Sequence, residues 1–104
     1  MKETFFNVLL SPEDRYRHTH VRVKGHVLQF TIQFETQFGG KWYPVVRYDT
    51  SHGFAHRDIL DRKGGKTKTP LFINNFNEAL TFAEYDIRSN WKHYKDGFLK
   101  EWRS

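Results

Sequence analysis

The chain reads as an α+β domain: an antiparallel β-meander of four to five strands followed by one long C-terminal α-helix packed on one face of the sheet. Three observations predict this class. Apolar and polar residues alternate with period two through His18–Lys24 and His26–Phe38. Short glycine-bearing segments, Lys24-Gly25, Gly39-Gly40 and Gly64-Gly65, separate the alternating runs at hairpin spacing. From Phe76 onward the period changes: Phe76, Leu80, Ala83, Ile87, Trp91, Tyr94 and Phe98 recur at helical steps of three or four.

Taken in order, Phe5 to Leu10 predicts a short strand, and Ser11-Pro12-Glu13-Asp14 a turn or one helical turn, since proline suits a first helical position. In the next strand Thr19, Val21 and Val23 point to one face; His18, His20, Arg22 and Lys24 point to the other. With Lys24-Gly25 as the turn, Val21 faces Leu28 and Thr19 faces Phe30, so the apolar faces match. Leu28, Phe30, Ile32 and Phe34 then form the surface that the helix covers. Trp42 to Asp49 follows, with Trp42, Val46 and Tyr48 on one parity and Arg47 and Asp49 on the other. An odd-numbered loop at Gly39-Gly40 would bury Val46 and Tyr48 and keep Arg47 out of the core, and Pro44 marks an edge or a bulge. Phe54 to Leu60 predicts a further strand, Asp61 to Lys68 a turn, and Thr69 to Ile73 a short return strand. Asn75, with Glu78 three residues on, is an N-cap and capping box for a helix of about seven turns. No repeat or linker interrupts residues 1–104, which read as a single domain.

Composition narrows the function classes. The absence of cysteine excludes disulfides, thiolate nucleophiles and cysteine-based zinc sites. No apolar run approaches the ~20 residues of a membrane span, and the N-terminus lacks the pattern of a signal peptide, so a cytoplasmic protein without membrane contact is expected. The net charge of +5 favours RNA or an acidic protein as partner.

The segment RYDTSHGFAHRD, Arg47 to Asp58, gathers two arginines, two aspartates, two histidines and a tyrosine around Gly53. Metal-free RNA cleavage needs a base for the 2′-hydroxyl, an acid for the leaving oxygen and a cation for the phosphorane. His52 and His56 suit the first two roles, Asp49 suits orientation of a ring, and Arg47 and Arg57 suit phosphate. Asp49, His52, His56 and Asp58 also form a set of metal donors, but their spacing matches no strict signature, so neither a metal nor another cofactor is assigned. His18, His20 and Arg22, set on the sheet face away from the helix, form a second basic surface for a phosphate backbone or an acidic partner. A binding module that performs no catalysis is therefore the alternative to a ribonuclease.

At these same residues the chain resembles a family of small uncharacterised prokaryotic proteins with an Arg-Tyr-Asp strand end, a His-Gly turn, a His-Arg-Asp strand start and a C-terminal helix opening like NFNEALTFAEYDI. More distantly, it is similar to TumE-type toxins of toxin–antitoxin pairs. That resemblance implies a toxin-like protein acting on RNA and held by an antitoxin. It places functional weight on Arg47, Tyr48, Asp49, His52 and His56, with Asp58 in the same segment. The consecutive histidine pair of those toxins is missing here, and the long C-terminal helix is a departure from them.

Overall fold

The computed structural model describes residues 1–103 and shows a six-stranded antiparallel sheet with strands in sequence order, followed by one helix. The strands are β1 (Lys2–Ser11), β2 (Asp14–Val23), β3 (His26–Phe38), β4 (Lys41–Asp49), β5 (His56–Leu60) and β6 (Lys66–Pro70); the helix α1 spans Phe76–Arg103. The expected class holds, with six strands in place of four or five. β6 forms three residues earlier than the return strand expected at Thr69–Ile73: it begins at Lys66, inside the segment expected to be turn, and pairs Lys66–Pro70 with β5. Ser11–Asp14 is a plain two-residue turn rather than a helical one.

Lys24 and Gly25 both have positive φ (49° and 80°), the geometry of a primed turn whose twist matches the strands it joins. Val23 pairs with His26 across it, as the sequence predicts. A bulge then intervenes. Arg22 pairs with Val27 but Val21 pairs with Gln29, so Leu28 is the extra residue on β3. Beyond it every facing relation on β2 is inverted. His20 lies beside Phe30, His18 beside Ile32 and Tyr16 beside Phe34. Leu28, expected in the core, is 52% exposed.

A second bulge sets β4. The Gly39-Gly40 turn has two residues, yet Phe34 pairs with Val46 while Glu35 pairs with Pro44, leaving Val45 as the extra residue. The bulge does what the odd loop was expected to do: Val46 and Tyr48 join the Phe34/Ile32 face, and Arg47 joins Gln33 on the other. The same shift moves Trp42, which pairs with Gln37, onto the Arg47 face, away from Val46 and Tyr48.

Helix α1 packs on β3 and β4. Asn75 Oδ1 caps its start by accepting from the backbone N–H of Asn77 (2.8 Å) and Glu78 (3.2 Å). All seven residues of the helical stripe join the core, which includes Phe30, Ile32, Phe34, Val46 and Tyr48. Polar anchors fix the helix further along. Buried Asp14 accepts from Ser11 Oγ (2.6 Å), Thr36 Oγ1 (2.8 Å) and Lys95 Nζ (2.9 Å). Burial raises its carboxyl's pKa, but these bonds and the Lys95 charge outweigh it and hold the group below the usual range.

Candidate functional site

The sheet has two unlike faces, and the expected site residues are divided between them. Along β4 and β5 the pairs Arg47↔Asp58 and Asp49↔His56 alternate with Tyr48↔Arg57. Because strand side chains alternate, Arg47, Asp49, His56 and Asp58 share the face that carries no helix, while Tyr48 and Arg57 lie under α1.

On the open face His56 is only 1% exposed. Its Nε2 lies 2.7 Å from Asp49 Oδ1 and 3.2 Å from Ser51 Oγ. Its Nδ1 lies 3.6 Å from Oδ1 of Asp58, also buried, which is an ion-pair separation rather than a hydrogen bond. Ser51 donates through both Oγ (2.9 Å) and its backbone N–H (3.1 Å) to Asp49 Oδ1. The chain reaches this arrangement through the short 3₁₀ turn Ser51–Gly53, where His52 (φ 73°) and Gly53 (φ 84°) are both left-handed. Among non-glycine residues His is enriched several-fold in that conformation. The turn leaves His52 exposed with its ring 6.1 Å from that of His56.

The array ends at a cleft of about 210 Å³ whose lining includes Thr19, Gln29, Thr31, Asp49 and Ser51. His56 does not stand at the surface; it touches Asp49 and Ser51, which line this cleft. Asp49, His56 and Asp58 each offer a ligand atom, all within 4.8 Å of one another, and so meet the donor requirement of a divalent cation site. However, the ring turns one nitrogen to each carboxylate, and 2.7 Å is the span of a hydrogen bond. That geometry describes a proton array better than ligands converging on one ion.

The rest of the open face is cationic and aromatic. Arg15 Nε donates to Glu35 Oε1 (2.7 Å), and its guanidinium lies 4.0 Å from the centre of the Trp42 ring. Arg17 is largely exposed beside Glu35 (3.9 Å), and Arg47 Nε donates to Gln33 Oε1 (2.8 Å). Lys66 Nζ stands 4.0 Å from Asp58 Oδ2.

Five expected binding residues, Arg57, Tyr48, His18, His20 and Arg22, are elsewhere. Arg57 donates through Nη1 to Tyr94 Oη (3.1 Å) and lines a separate cavity of about 430 Å³ with His93 and Tyr94. Tyr48 donates to Asp86 Oδ2, which also accepts from Tyr94 Oη (2.5 Å); Asn90 Nδ2 donates to Asp86 Oδ1 (2.8 Å). Burial first, and the bond to Asp86 second, push the Tyr48 hydroxyl far above the usual phenol range, so it stays protonated.

His18 and His20 are the third correction. Expected on the open face, they are 2% and 8% exposed on the helix side. The Leu28 bulge puts them there, opposite Ile32 and Phe30. His18 stacks on Phe6, its Nε2 lies 2.6 Å from His20 Nδ1, and its Nδ1 lies 3.5 Å from Glu84 Oε1. Arg22, on the same parity, is exposed at the far end of β2. The basic row that does share the open face is Arg15 and Arg17, three residues earlier and so on the alternate parity. Their signal was the bulge, which no local pattern at His18–Lys24 encodes.

The histidine pair makes a pH prediction. Burial pulls both rings below their ordinary pKa of 6.5; Arg22 adds to this at both, and Glu84 opposes it. A depressed histidine pKa means that the unfolded chain binds protons first. The pair's contribution is therefore complete above about pH 6.5 and is lost as pH falls below it. Urea midpoints should decline from pH 7 to pH 5, and His18→Gln/His20→Gln should flatten that slope. An unchanged slope in the double variant would refute this assignment.

Fold and site together define a small α+β protein with a histidine–carboxylate array set in a cationic, aromatic open sheet face. The chain belongs to the family described as Domain of unknown function (DUF7718), which it matches over residues 1–104. No curated protein and no solved structure matches it. Among the described residues, no helix is long and apolar enough to cross a membrane.

Proposed function

We propose that the protein is a toxin-like RNA-binding ribonuclease that acts in the cytoplasm by acid/base chemistry without a metal. The observation that carries this reading is the shared face. The Asp49–His56–Asp58 array, exposed His52 and the arginines Arg15, Arg17 and Arg47 all lie on the side of the sheet that α1 leaves uncovered. Arginines grip phosphate, and Trp42 offers a stacking surface for an unpaired base.

In the reaction the 2′-hydroxyl oxygen attacks the adjacent phosphorus, and the bond to the 5′ oxygen breaks. The products are a 2′,3′-cyclic phosphate and a 5′-hydroxyl end. His52 exchanges one proton from the exposed turn beside His56. His56 exchanges the other through Asp49 and Ser51, and Arg47 stabilises the charged phosphorane. An acidic antitoxin protein is the partner that such a face would accept.

The test is an assay on single-stranded RNA with purified protein and excess chelator. Cleavage to cyclic-phosphate ends, unaffected by the chelator and abolished in His52→Ala, is the expected result. Arg17→Glu should weaken RNA binding across sequences and lower the salt slope by about 1–2, because it replaces one phosphate-facing cation with an anion. Binding without cleavage by the wild type would remove the catalytic assignment and leave the binding module. His56 and Asp58 are each only 1% exposed, the one observation that favours that second reading.

A further inference from the structure

The two edges of the sheet are built differently. Strand β6 ends it with Lys66-Thr67-Lys68-Thr69-Pro70: five residues, two lysines and a proline, the devices by which natural edges refuse another strand. Strand β1 ends it with ten residues, Lys2–Ser11, and pairs only with β2. Its central run Thr4-Phe5-Phe6-Asn7-Val8-Leu9-Leu10 holds no charge and no proline. Phe5 and Leu9, on the Arg17 face, are 58% and 68% exposed, and Phe6 is partly exposed on the opposite face. A long uncharged edge with apolar residues on both faces is a template for strand addition.

We propose that β1 is a homodimer interface, in which the β1 strands of two copies pair antiparallel about Asn7 and join the two sheets into one. The sequence selects the register. Centred on Asn7, Phe5 faces Leu9 of the second copy and Phe6 faces its Val8. Centred one residue earlier, Glu3 would face Leu9 and Lys2 would face Leu10; centred one later, Phe5 would face Ser11 and Asn7 would face Leu9. The Asn7 register also brings Met1-Lys2 of one copy toward Glu13 of the other at both ends, so the flanking charges are complementary. Across the two-fold axis the Arg15/Arg17 row of each copy continues into that of the other, doubling the cationic open face. The interface itself does not depend on RNA being the ligand.

Light scattering and sedimentation of the intact chain should give about twice its 12.5 kDa mass. Phe5→Lys/Leu9→Lys, which imitates the β6 edge, should convert it to a monomer with an unchanged far-ultraviolet circular dichroism spectrum. A second variant does not depend on that one folding. The native chain has no cysteine, so Asn7→Cys under mild oxidation should give a disulfide-linked dimer, and Ser89→Cys on the exposed helix surface should not. A wild type that stays monomeric at all concentrations overturns the proposal. So does a dimer that survives the lysine pair, or an Asn7→Cys chain that cross-links no faster than Ser89→Cys.

Discussion

His56→Gln should lower RNA cleavage roughly 10²–10⁴-fold, the range assigned to a positioned acid or base, while the protein still unfolds in one cooperative transition. Glutamine keeps polar atoms near Asp49 and Asp58 but cannot exchange a proton at neutral pH. His56→Ala would confuse the result, because it leaves buried Asp58 facing a void. The comparison therefore needs three readouts: single-turnover rate, RNA affinity and urea midpoint. A lost rate with affinity retained assigns His56 to proton transfer, and the variant's pH–rate profile should lose one limb of the wild-type bell. A folded His56→Gln protein that cleaves at the wild-type rate would end that assignment. If affinity falls together with rate, the array positions the binding face instead.

The largest effect on stability is expected at Asp86, on the opposite face. Its carboxylate is the common acceptor for Tyr48, Tyr94 and Asn90, and Arg57 binds that network through Tyr94. Asp86→Ala strands two tyrosine hydroxyls beneath the helix. At ~1–3 kcal/mol for each unsatisfied buried donor, the loss should be about 2–6 kcal/mol. Asp86→Asn retains an acceptor oxygen and should cost less. Urea unfolding followed by tryptophan fluorescence measures both. Equal losses in the two variants would show that charge rather than hydrogen bonding holds the network. The prediction also separates the faces: Asp86→Asn should leave the cleavage rate per folded molecule unchanged, since its side chain does not reach the array.

Much of the architecture was legible in residue patterns. Period-two alternation in β3, the Lys24-Gly25 and Gly39-Gly40 turns, the Asn75 cap and the helical stripe from Phe76 to Phe98 are all local features, each encoded within a few residues of where it acts. The cluster of ionisable groups around Gly53 is local in the same sense, and it delivers Asp49, His52, His56 and Asp58 to one place.

Facing was not local. Side chains alternate with period two, so one inserted residue reverses every assignment beyond it. The bulge at Leu28 turned His18 and His20 toward the helix and put Arg15 and Arg17 on the open face. The bulge at Val45 moved Trp42 there while keeping Val46 and Tyr48 buried. Strand pairing across β4 and β5 set Arg57 against Tyr48, on the face opposite its chain neighbour His56, a pairing partner that the segment's composition alone does not name. By itself the sequence determined the elements, the helix and the chemistry-bearing segment, because propensity, turn geometry and periodicity act over short spans. Only the tertiary structure decided which groups share a face, because inter-strand register depends on packing over the whole sheet.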